Sequence, residues 1–197
     1  MGRWAWVLGW SAVAILSLWA VPPERVLGAA VRLVYLHGAL TWAGLIFYAV
    51  AGLMGLLRLL TGRPWYGARA HGAGWRGGLA WLLSLAASVP AAVVSWHTGG
   101  LKEPRFWLVA GVLALSAAAV AWRGMEGGGA ALPAALWTAA ALAAWAGSFF
   151  QRRLLHPHNP ILASHDPRYI VAFFVLTASL VALGLTLPAG GGRELPS

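Results

Sequence analysis

The 14 basic and 5 acidic residues of this 197-residue chain leave six long runs free of any formal charge: 4–23, 33–57, 77–101, 106–122, 127–151 and 169–192. A helix needs roughly 20 apolar residues to cross the hydrocarbon core of a bilayer, and each run is near that length. The pattern predicts an all-α integral membrane protein with six spans, at about 4–21, 33–57, 77–96, 106–122, 130–150 and 169–187. These form a single membrane domain over 1–188, followed by a disordered tail at 189–197. A β-barrel would instead show alternating segments of about ten residues. A hydrophobic share of 60% and a mean hydropathy of +0.71 exclude a water-soluble globule.

The chain has no cysteine, which removes disulfides, thiolate metal sites, iron–sulfur clusters and covalent c-type haem attachment together. Its formal charge of +9 is spread singly between the spans, forming neither stripe nor arm, so nucleic acid is not the expected partner. Anionic lipid headgroups, or an anionic ligand at the membrane surface, suit scattered arginines better.

Pro22-Pro23 is expected to end the first span, which reads as a retained anchor because the apolar stretch of a signal peptide is shorter. Residues 24–32 put Arg25 and Arg32 seven apart, as in a short interfacial helix. Residues 58–76, with four arginines and no acid, are expected to form a loop, with His71 at the interface in no specific role. Gly124 to Gly129 read as a turn. Six spans set both termini on one side. Lysines and arginines divide seven against seven between the two sides, but Arg3 and the 58–76 segment favour cytoplasmic termini in a cell inner or plasma membrane.

Five of six histidines (His37, His97, His156, His158 and His165) fall on the other side. Intramembrane histidines are costly, and are held by hydrogen bonds or serve as ligands. His37 at the end of span two and His156 after span five form a pair able to grip haem b through its iron, as axial ligands. The haem propionates would then meet arginines on that side: Arg25, Arg32, Arg105, Arg152, Arg153 and Arg168. His156-Pro157-His158 with His165-Asp166 offers a rival zinc or copper site. Trp4, Trp6, Trp10, Trp65, Trp75 and Trp122 read as an interfacial belt.

The run Arg32-Leu33-Val34-Tyr35-Leu36-His37, followed by Trp42, resembles the R-I-x-Y-I-H-x-P-x-A-W signature of the CcmC-type haem-handling proteins of cytochrome c maturation, relatives of CcsA. Leu154-Leu155-His156-Pro157 resembles that family's second histidine motif, and the order of motifs along six spans agrees. The resemblance implies haem held by His37 and His156, with Trp96, Glu103, Arg105 and Trp107 in the segment where the family has its tryptophan-rich platform. This chain departs there. Lys102 replaces a tryptophan, Glu103-Pro104-Arg105 stands for D-P-R, and only Trp96 and Trp107 are nearby.

Three functions follow as expectations. The first is haem handling and delivery in cytochrome c biogenesis, with other membrane subunits and a periplasmic haem acceptor as partners. A second is a bis-histidine haem b electron-transfer or anchor subunit of a redox complex. The third is a non-haem scaffold or regulatory subunit like the HemX-type relatives. None requires a stand-alone catalyst, and no hydrolase, P-loop or dinucleotide motif is present.

Overall fold

The computed structural model describes residues 2–96, 104–126, 131–150, 161 and 164–188. They form α1 (Arg3–Ala20), α2 (Val31–Thr61), α3 (Pro64–Trp96), α4 (Pro104–Glu126), α5 (Ala131–Phe150) and α6 (Pro167–Thr186). The helix ends have local causes. Pro22 and Pro23 carry no amide hydrogen, so α1 stops at Ala20. Gly62 takes a φ of 71° and closes its N–H on Arg58 O, ending α2 in the left-handed conformation that glycine tolerates. The Asp166 carboxylate accepts the Arg168 N–H at the start of α6, with Pro167 in the first helical position.

Five helices, α2 to α6, are long and apolar enough to cross a membrane. α1 is not among them. Arg3 and the indoles of Trp4, Trp6, Trp10 and Trp19 dilute the apolar character of its 18 residues.

Two local expectations are corrected. Residues 58–76 are not a loop: α2 runs through Thr61, α3 starts at Pro64, and only Gly62 and Arg63 lie between them. Small residues explain this, because Ala70, Ala73 and Gly74 let α3 pack closely along its whole length. Residues 24–30 are not an interfacial helix either. They form a tight loop in which Glu24 and Gly28 exchange backbone hydrogen bonds of 3.2 and 2.7 Å, and Gly28 has a φ of 55°. The Glu24 carboxylate accepts the N–H groups of Val26 and Leu27, a local bonding pattern that competes with helix.

α2 is the central helix, packed on α3, α5 and α6 and touching α1 at its start. Two cores lie along it. One joins α2, α3, α4 and α5 through Leu45, Tyr48, Trp81, Val112 and Trp137. The other joins α1, α6 and the first turns of α2 through Val21, Tyr35, Phe173 and Leu176. At four of the helix contacts a large ring or branched side chain covers a glycine of the neighbouring helix: Trp81 on Gly44, Trp137 on Gly74, Phe47 on Gly184, Leu108 on Gly147. Apolar area gives helices little reason to associate inside a bilayer, so close packing on glycine carries the assembly.

These contacts fix the register. α6 meets α2 from Gly38, against Phe173, to Phe47, against Gly184, whereas α5 runs from Phe149 against Trp42 to Ala134 against Gly55. The α1–α6 pair and the α4–α5 pair are therefore staggered along α2.

Candidate functional site

His37 lies on the side of α2 that faces α3, half-buried, with Nδ1 at 3.0 Å from Ser84 O and 2.9 Å from Ser84 Oγ. A carbonyl oxygen can only accept, so Nδ1 at that distance carries the hydrogen. In the neutral ring the lone pair is then on Nε2, the tautomer of a histidine ligand whose other nitrogen is tied to a carbonyl. Ser84 is itself held. Its Oγ lies 2.7 Å from Thr41 Oγ1 and donates to His37 O at 3.1 Å, while Thr41 Oγ1 also reaches His37 O at 2.9 Å. Trp81 Nε1 donates to Thr41 O at 3.1 Å and locks the next turn.

Of the other anticipated site residues, few share the His37 face. Tyr35, two residues away and so nearly opposite on the helix, is buried against Tyr169 and Phe173 of α6, with ring centroids at 6.0 and 6.2 Å. Arg32 is turned to α1: its Nη2 donates to Trp19 O at 3.0 Å and its guanidinium lies 4.9 Å over the Trp19 ring. Trp42 meets Phe149 of α5 edge-on at 6.2 Å, and Phe149 stacks on Trp145. Leu142, Trp145, Ala146, Phe149 and Phe150 line an open apolar hollow of about 460 Å³ there. Arg105, in the first turn of α4, donates to Ser148 O at 3.4 Å near the end of α5. That is where a helix presents unpaired carbonyls and favours a cation. Trp107 is 65% exposed with its edge toward Phe106. Trp96 closes α3. Glu103, Arg153 and His156 lie outside the described residues, as do His97 and His158 of the histidine set.

His71 requires a further correction. It is 3% exposed, inside α3, and meets Trp137 edge-on at 5.8 Å, well away from any surface role. Thirteen residues of α3 separate it from Ser84, about 20 Å along the axis, so it belongs to a different neighbourhood from His37. Among the described residues no group of three His, Cys, Asp or Glu forms a metal cluster. Asp166, in the rival metal motif, is engaged by Arg168 at 2.7 Å, and this hydrogen-bonded ion pair holds its carboxyl below the usual range.

Ser84 and Thr41 are the functional neighbours that sequence reasoning missed. A serine in an apolar run carries no sign of its partner. The available signal was the match in depth of Ser84 and His37 across two antiparallel helices joined by a short turn. An imidazole with Nδ1 tied to Ser84 and its ring orientation set by that contact has, when neutral, the donor set a haem ligand needs. The chain matches no protein-family model and no curated protein sequence, so the likeness to the CcmC type stands on its own motifs.

Proposed function

We propose that this chain is a multi-pass membrane protein that holds haem b between His37 and His156 and hands it on in cytochrome c biogenesis. α1 serves as the sixth span, and both termini face the cytoplasm. The observation that carries the reading is the orientation of His37 by Ser84, which ties Nδ1 as the outer partner of a ligating histidine does. The chain on either side of His156 supports it further. Phe149 lies against Trp42, Ile161 packs beside Gly38, and the ten residues from 151 to 160 connect these anchors, both within about one turn and a half of His37 on α2. His156 falls in the middle of those ten. Arg105 and Arg153 are the propionate partners in this reading, and Trp42 supplies an aromatic wall. For α1, the supporting fact is its packing along α6 with Leu8, Ile15 and Leu16 turned outward, as lipid-facing residues are.

Bound haem would contribute an iron centre that this chain only coordinates and orients. The partners are a haem acceptor outside the membrane and further membrane subunits. A second reading keeps the ligands and makes the haem a fixed electron carrier. It is favoured by the exposed Trp107 and by Lys102, which leave little of a tryptophan platform for delivery.

The test is an ultraviolet-visible spectrum, oxidised and dithionite-reduced, of the detergent-purified protein and its variants. A Soret band with sharp reduced α and β bands is expected, lost or strongly weakened in His37→Ala and His156→Ala and unchanged in His71→Ala. Equal haem retention in all three variants, or a protein that takes up no added haem, would overturn the assignment.

A further inference from the structure

We propose that the ledge left by α2 and α3 beyond the end of α6 is a binding site for an anionic phospholipid. α6 reaches only to Phe47, whose ring covers Gly184, while α2 continues fourteen residues to Thr61, about 20 Å further along the axis. Phe47, Val50, Met54, Leu57 and Thr61 follow at spacings of three, four, three and four, a single face of α2. Where α6 ends, that face opens: Val50 is 45% exposed, Met54 and Leu57 are half-buried, and Thr61 at its end is exposed. α3 supplies the adjoining wall. Trp65, Arg69 and Arg76 are spaced four and seven apart on one face, and Arg76 identifies it as the side toward α6, because it donates to Gly184 O at 2.8 Å and Leu187 O at 2.7 Å.

Arg76 is therefore used up on the last carbonyls of α6. Arg69, one face-repeat further out, is not. Its guanidinium lies 4.8 Å over the Trp65 ring, and a cation stacked by its face keeps its in-plane N–H donors for an anion. Trp65 is stacked in turn on Tyr66 at 3.9 Å, giving the ledge an aromatic rim of the kind found at headgroup level. Arg63 stands in the turn between the two helices. The side chains of Arg63 and Arg69 make no hydrogen bond or ion pair among the described residues, and positions 58–76 contain no acid.

An apolar wall of acyl-chain length, ending in an unpaired arginine beside tryptophan, is complementary to one amphiphile with an anionic phosphate. A free phosphate ion would use the arginines but not the apolar face. The test measures lipid binding by native mass spectrometry of the full-length protein in detergent, titrated with phosphatidylglycerol or phosphatidylcholine. Phosphatidylglycerol should bind preferentially. Its affinity should fall about tenfold or more in Arg63→Gln/Arg69→Gln, since each cation near the surface contributes comparably. Arg168→Gln, at the other end of α6, should leave it unchanged, and Arg69→Lys should restore most of it in the Arg63→Gln background. Equal affinity for the two lipids, unchanged binding in a double variant of normal helicity, or displacement of the lipid by inorganic phosphate alone would overturn the proposal.

Discussion

The two ends of the α2–α3 hairpin each enclose a histidine, and they treat it in opposite ways. At one end the His37 ring meets the Ser84 carbonyl and hydroxyl, while the Thr41 hydroxyl bonds the His37 carbonyl and the Trp81 indole donates to Thr41 O. About 20 Å away His71 is buried among Ala70, Ala73 and Gly74, against the face of a helix that presents Trp137. The first environment orients a ring and fixes its tautomer. The second uses an aromatic-sized side chain as packing. What distinguishes His37 is the tie of its Nδ1 to the carbonyl and hydroxyl of Ser84.

Substitutions can break this contrast, and the largest effect is expected in the packed end. Gly74→Leu would drive a side chain into the Trp137 ring and force α3 from α5, costing about 3 kcal/mol or more. Thermal unfolding followed by circular dichroism in detergent would register it, and an unchanged midpoint would refute the glycine-based packing. His71→Ala comes next, with a loss of about 2 kcal/mol for a vacated buried site and no change in haem spectrum. A haem spectrum altered as much as by His37→Ala would place His71 in the site. Ser84→Ala should do the reverse, leaving the unfolding midpoint almost unaltered while haem affinity falls by about 10- to 100-fold, the usual effect of removing an outer partner of a ligating histidine. A midpoint shift with no spectral or affinity change would reduce Ser84 to a packing residue.

The smallest effect lies at the loop before α2. The Leu27 and Val26 N–H groups hold the Glu24 carboxyl below its ordinary range. Because the folded value is the lower one, the cap contributes at neutral pH and is lost as pH falls through that depressed value. The amide signals of Val26 and Leu27 in nuclear magnetic resonance spectra should titrate with a midpoint under about 4.3 and should be insensitive to pH in Glu24→Gln. A midpoint at or above that value would remove the cap from the account.

Much of the helical layout was legible from charge-free runs, and the end of α1 from Pro22-Pro23; the Asp166-Pro167 start of α6 and the Gly62 end of α2 are further local signals in the structure. The misreadings have a common origin. Arginines at 58, 63, 69 and 76 suggest solvent when read in line, yet Arg76 is satisfied by the carbonyl ends of α6, a partner 108 residues away. Arg25 and Arg32 suggest an amphipathic helix, yet the Glu24 carboxylate and Gly28 bend that stretch locally, and Arg32 turns to cap α1 through Trp19 O. His37 was legible as a candidate through its motif, but Ser84 was not, because no local pattern couples residues 47 positions apart.

Sequence alone determined that this chain is helical and membrane-embedded, since the cost of exposing backbone polar groups to hydrocarbon leaves long apolar runs no other way to satisfy them. It also determined where the first helix stops, because proline acts within a turn of its own position. Tertiary structure decided the rest: which face of α2 meets α3 and which meets α6, and thus that Tyr35 and His37 part company two residues apart. It also set the stagger that leaves the α2–α3 ledge uncovered. These depend on which glycine lies beneath which ring of a distant helix, a fit of shapes that exists only once the helices are side by side.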